Sequence, residues 1–191
     1  HSDKLDEDGK GYLNKLIKSS QQLSQLIEDL LSYSRLERRP LIYGDVQVKS
    51  IVNILLEQRG EEIKNRNIVI HVNCVSETIK SSHELLTQII GNYLDNALKF
   101  TQRQSAPEIW LNYENHGDTS LFSIKDNGVG FDEKFKEKIF EVFQRLHTQD
   151  VFPGTGIGLA LVKKSAELLG YRVWAEGEPG KGATFYLEVV K

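Results

Sequence analysis

One change of hydrophobic period, at Pro40, divides this chain into two parts that cannot share a folding pattern. Before it, Leu13, Leu16, Ser20, Leu23, Ile27, Leu30 and Ser34 recur at alternating steps of three and four, the seam of a heptad repeat. Ile17, Leu26 and Leu31 widen that seam into a stripe suited to a helical bundle rather than a two-stranded coil. The spacing predicts one helix over residues 4–38, roughly nine turns long. Such a helix either packs on its own domain or pairs with other helices, and its length favours a bundle or dimer. Pro40 cannot continue it and opens a short linker.

After Pro40 short alternating and helical patterns take turns. Strands are expected at 41–46, 67–73, 108–114, 120–125, 171–176 and 183–190, with helices at 48–64, 82–100 and 157–168. His116-Gly117-Asp118 separates two of the strands, and the 178–182 segment closes a final hairpin. The fold class implied is α/β (α+β): a two-layer sandwich with a mixed sheet covered on one face by helices, preceded by one long stalk helix. Its parts are a stalk over 1–40 and a domain over 41–191. The 191 residues suffice for one full core and a helical appendage.

The net charge of −3 provides no basic field to recruit nucleic acid or an acidic membrane. A single cysteine, Cys74, excludes an intrachain disulfide and CxxC chemistry, in keeping with a cytoplasmic setting. No apolar run approaches the ~20 residues of a membrane span. Methionine is absent even at position 1, so the chain is expected to be part of a longer one, with room upstream for a sensor or membrane segment.

Three segments carry polar chemistry. Asn92, Asn96 and Lys99 lie at i, i+4 and i+7 and share one face of the 82–100 helix, opposite its apolar stripe. Such a face is either solvated or lines a cavity, where amide oxygens suit a hard cation and the lysine a phosphate. Asp126-Asn127-Gly128-Val129-Gly130 ends a strand. It is either a turn or a place where a carboxylate accepts from an amino group while glycines admit a flat ring. Adenine presents that amine; guanine presents a carbonyl. Gly154-Thr155-Gly156-Ile157-Gly158-Leu159 opens the last helix, with closely spaced amides suited to phosphate. It is neither a Rossmann nor a Walker loop.

In order and spacing these segments, with Gly180-x-Gly182-Ala183-Thr184-Phe185, resemble the N, G1, G2 and G3 boxes of sensor histidine kinases. Phe140-Glu141-Val142-Phe143-Gln144-Arg145 is similar to their F box, and residues 26–36 to the end of their second stalk helix. Phe152-Pro153-Gly154 resembles phytochrome-like kinases. The same fold serves gyrase, heat-shock chaperones, mismatch-repair ATPases and anti-sigma serine kinases, but the stalk favours a histidine kinase.

The resemblance implies Mg²⁺-ATP as substrate, a response regulator receiver domain as partner and a homodimer through the stalk. It implies Asp126 on the adenine amine, helped by Thr184, with Phe100 beside the ring and Gly128 and Gly130 admitting it. Asn96, with Asn92 beside it, is expected to hold Mg²⁺. Lys99 and Arg145 are expected on the phosphates, as are Gly154, Thr155, Gly156, Gly158 and Leu159, and residues from about 143 to 155 are expected to form a mobile lid over the nucleotide. The family's acceptor sits in a His-Asp/Glu-x-Arg-x-Pro setting, which none of His1, His71, His83, His116 and His147 has. The phosphorylated histidine is therefore expected upstream of this chain.

Overall fold

A computed structural model describes residues 6–36, 40–75, 77–146, 151–152 and 154–190. The first helix, α1, spans Glu7–Arg35, and Asp6 caps it by accepting from the Gly9 amide at 2.7 Å. After the linker come β1 (Gly44–Gln47), α2 (Val48–Gln58), α3 (Gly60–Asn65), β2 (Val69–Cys74) and β3 (Thr78–Ser81). Then follow α4 (His83–Phe100), β4 (Glu108–Asn115), β5 (Thr119–Asp126), α5 (Gly158–Leu169), β6 (Arg172–Glu178) and β7 (Gly182–Val190). Two single 3₁₀ turns, Glu133–Phe135 and Lys138–Phe140, lie between β5 and α5.

The main sheet runs β2-β4-β5-β7-β6, with β2 parallel to β4 and every other pair antiparallel. Period-2 alternation gives it one apolar face: Ile109, Leu111 and Tyr113, then Phe122 and Ile124, then Phe185, Leu187 and Val189, all buried. Against that face α4 sets Leu86, Ile89, Ile90, Tyr93 and Leu94, and α5 sets Leu161, Val162 and Ala166. Tyr93 keeps its hydroxyl satisfied in this core by donating to the Tyr186 carbonyl at 2.9 Å. The result is the expected two-layer sandwich with a mixed sheet.

Three details differ from the sequence reading. The single helix expected over 48–64 breaks at Arg59, whose guanidinium donates to the Leu55 carbonyl and pairs with Asp95 of α4 at 2.6 Å. β1 starts at Gly44 rather than residue 41. It pairs with β3, a four-residue strand the sequence pattern did not suggest.

The long helix is present, but no residue of it is fully buried. Leu16 is 68% exposed and Leu23 57%, so the stripe does not fold back onto the domain. Only Leu26 and Tyr33 of α1 pack partly on the core. Residues 4, 5, 37 and 38 of the expected helix lie outside the described residues.

Candidate functional site

The site begins with α4. Ser82 caps its start, and at its end Arg66 donates to the Leu98 carbonyl at 2.8 Å and to Thr101 Oγ1 at 3.2 Å. With the apolar stripe of α4 pressed on the sheet, its polar face lines a cavity of ≈ 230 Å³ carrying Asn92, Asn96, Lys99 and Phe100. Asn92 donates its amide nitrogen to the Gln88 carbonyl at 2.8 Å, which leaves Oδ1 toward Gly158. A Cβ at Gly158 would stand 2.6 Å from that oxygen, so a larger residue there would have to displace the Asn92 side chain.

Lys99 is the cationic element. Its ammonium lies 4.4 Å from the Phe100 ring centroid. Burial lowers its pKa to about 8, with the nearby Arg145 charge adding to the shift and Asp95 opposing it. A lysine held this way gains from any phosphate that restores a counter-charge.

Asp126, the last residue of β5, is 1% exposed. Its Oδ1 accepts from the Gly128 amide at 2.8 Å, while its Oδ2 is buried without a hydrogen-bond partner. Desolvation pushes the carboxyl up to about 6, against the pull of the Gly128 and Ala183 amides. Ala183, its partner across the sheet, lines the cavity, as does Gly130 four residues on, while Asp126 itself is not part of the wall. The carboxylate thus carries an unmet acceptor, the complement of an exocyclic amine. Glycine is required around it: at Gly182, with φ +101°, a Cβ would fall 1.9 Å from the Asp126 carbonyl oxygen.

Gly154, Thr155, Gly156, Gly158 and Leu159 line the opposite wall. No side chain caps the start of α5, so its first amides stay open beside the cavity. Arg145 also reaches the cavity, but its guanidinium donates to the carbonyls of Gly154 at 2.7 Å and Phe152 at 2.9 Å. It therefore staples the loop that the resemblance identified as a lid. Phe152 is buried, its ring centroid 5.1 Å from that of Phe100. Residues 147–150 and 153 of the expected lid lie outside the described ones.

Of the predicted residues, Asn92, Asn96, Lys99, Phe100, Gly130, Arg145, Gly154, Thr155, Gly156, Gly158 and Leu159 line this cavity, whereas Asp126 and Gly128 are buried and do not form its wall. The correction is Thr184. Along β7, Ala183 and Phe185 line the cavity, so the residue between them points to the other face of the sheet. There its strand neighbours are Lys125 and Glu176. Alternation along 183–190 already implied this, and it likewise marks Ala183 and Phe185 as site residues. Phe131 and Asp29 also line the cavity, and no local pattern announced them; Phe152, in the segment already singled out before Gly154, lines it too.

None of the three described histidines lines it. His71 stacks on Trp110 at 5.2 Å, His83 opens α4, and His116 sits in the β4–β5 turn. His1 and His147 lie outside the described residues. Among the described residues no three His, Cys, Asp or Glu side chains cluster to hold a metal. The oxygen donors in the cavity that fit a hard cation include the amides of Asn92 and Asn96 and the carboxylate of Asp29, a set low in charge that suits a cation arriving with its own phosphate ligands.

A family model described as "Histidine kinase-, DNA gyrase B-, and HSP90-like ATPase" matches residues 81–191, which hold every site residue except Asp29. The chain belongs to this family. Among its histidine kinase-like relatives, Cyanobacterial phytochrome A of Nostoc sp. is 33% identical over 189 residues, 99% of this chain and 24% of that protein. Circadian input-output histidine kinase CikA of Synechococcus elongatus is 30% identical over 190 residues, 95% of this chain and 25% of its own length. The chain spans about a quarter of the length of these curated relatives. The crystal structure of full-length ShkA in complex with AMPPNP superposes with a TM-score of 0.77 at 29% identity, covering 97% of this chain and 39% of that one.

Proposed function

We propose that this chain binds Mg²⁺-ATP and transfers the γ-phosphoryl group to a histidine carried outside residues 1–191, for relay to a response regulator receiver domain. The observation that carries the reading is Asp126, a buried carboxylate with one oxygen held by an amide and the other unpartnered. An adenine amine satisfies that oxygen; a guanine carbonyl faces it with a second acceptor. Phe100 flanks the base, and Gly128 and Gly130 let it approach the backbone. Lys99 and the amides at the start of α5 take the phosphates, while Arg145 holds the loop beside them. Asn96, with Asn92, holds Mg²⁺, which supplies charge neutralisation of the phosphates when bound. Phosphoryl transfer needs mainly position and charge, and these residues supply both.

Parallel support comes from the ShkA complex with AMPPNP, an ATP-like ligand on the same fold. Among the described residues no helix is long and apolar enough to cross a membrane. We place the activity in the cytoplasm, where ATP is available. The exposed stripe of α1 pairs two copies.

Calorimetry against ATP and GTP tests the base assignment, with GTP expected to bind at least ~100-fold more weakly. Equal affinity refutes the role of Asp126. Radiolabelled ATP, mixed with the chain and a helix bearing the acceptor histidine, should give an acid-labile phosphohistidine that Asn96→Ala abolishes. An acid-stable serine label would replace the histidine kinase reading with the serine kinase one.

A further inference from the structure

One residue of α1 belongs to the cavity. Asp29 accepts a hydrogen bond from Thr155 Oγ1 at 2.5 Å through Oδ2, and from Gln25 Nε2 at 2.9 Å through Oδ1. It lines the same space as Asn92, Asn96 and Lys99, although it lies 126 residues before Thr155. Of the apolar residues of α1, Leu26 and Tyr33 pack partly on the core, and Leu36 at its C-cap is buried there.

We propose that Asp29 is a nucleotide-sensitive latch: its carboxylate occupies the anion end of the cavity, and an incoming phosphate displaces it and frees α1 from α5. The inference rests on the reading above that phosphates sit at the start of α5.

The Thr155 hydroxyl has one proton to donate, so it serves Asp29 or a phosphate, not both. The open amides at the start of α5 favour one anion there, and a second anion on the same loop is repelled. Helix position and phosphate occupancy therefore compete. Competition of this kind is reciprocal: a docked α1 weakens phosphate binding by the same factor that bound phosphate weakens docking. Within α1 no residue is fully buried, and its apolar anchors Leu26, Tyr33 and the C-cap Leu36 lie toward its C-terminal end, so loss of the Asp29–Thr155 hydrogen bond weakens its hold on α5.

Calorimetry with ATP and with adenosine, on the wild-type chain and on Asp29→Ala, tests the latch. The variant should bind ATP about tenfold more tightly and adenosine unchanged, since only the phosphates compete with the carboxylate. Spin labels at Lys18→Cys and Lys163→Cys, both exposed positions in a chain whose native Cys74 is buried, supply a second readout. Their separation should lengthen when ATP is added to the wild type, and should already be lengthened in Asp29→Ala without it. Weaker ATP binding by Asp29→Ala overturns the latch, because Asp29 then assists the nucleotide. An equal change for ATP and adenosine overturns it too, as does a label distance that ignores ATP. If the wild type binds adenosine but gains nothing from the phosphates, the placement of phosphates fails and takes the latch with it. If it binds neither, the adenine reading fails first.

Discussion

Asp126→Asn separates what the carboxylate does for the fold from what it does for a ligand. In the folded chain burial raises this carboxyl from 3.8 to about 6. The neutral form is thereby favoured by about 3 kcal/mol, at 1.36 kcal/mol for each pH unit. Between those two values the folded chain keeps a proton that the unfolded chain has released. The stability from this group is therefore complete below about pH 4 and is lost as pH rises through 6. The substituted amide never ionises. The difference in unfolding free energy between variant and wild type should thus move in the variant's favour by about 3 kcal/mol from pH 4 to pH 7.

Taking the difference between the two proteins cancels every other titrating group and any fixed cost of the new amide. For a chain of this size the change corresponds to roughly 6–12 °C in Tm. Nucleotide-free thermal and urea unfolding across that pH range measures it. Added ATP should reverse the ranking at pH 7, because the carboxylate has a second acceptor oxygen for the adenine amine, whereas the amide's one oxygen is needed by the Gly128 amide. A difference that stays flat with pH refutes the reasoning, since it means the carboxylate is hydrated rather than sealed behind Gly130 and Ala183.

Gly182→Ala should destabilise the fold by more than about 4 kcal/mol, because its Cβ meets main chain that cannot yield. Gly180→Ala, at φ +79° with nothing within 4 Å, should cost only about 1–2 kcal/mol, and thermal unfolding compares the two. ATP affinity should fall as pH rises through about 8, where Lys99 loses its proton, and Lys99→Arg should flatten that slope in calorimetric titrations at pH 7 to 9. The chain should self-associate with concentration in sedimentation, and Leu16→Glu with Leu23→Glu should leave a monomer. A double variant that associates as the wild type does would exclude the stripe as the contact.

Elements with strong local signals were legible in the sequence. α4 follows its apolar stripe, and the β4–β5 hairpin forms around His116-Gly117-Asp118, as expected. What escaped was set by distant partners. β3 has four residues and exists because β1 lies beside it; Arg59 breaks a helix because Asp95 and the Leu55 carbonyl hold its side chain. The same division applies to the site. Residues within the glycine-rich boxes were reached through their resemblance to kinase boxes, whereas Asp29 enters the cavity through a contact that no local periodicity encodes. Thr184 was misplaced for a different reason: a motif match was followed past the strand alternation that already turned it away.

The main-chain packing around Asp126 limits how this pocket can change. Cβ atoms at Gly128, Gly130 and Gly182 would each fall within 3 Å of backbone: the Phe100 carbonyl, the Glu178 carbonyl and the Asp126 carbonyl respectively. A compound that binds by donating to Asp126 therefore meets a surface with almost no freedom to mutate, since substitution there sacrifices the fold along with the binding. Escape from such an inhibitor has to arise across the cavity, at side chains such as Phe152, Arg145 and Thr155, and compounds confined to the glycine-walled end should be the slowest to lose their effect.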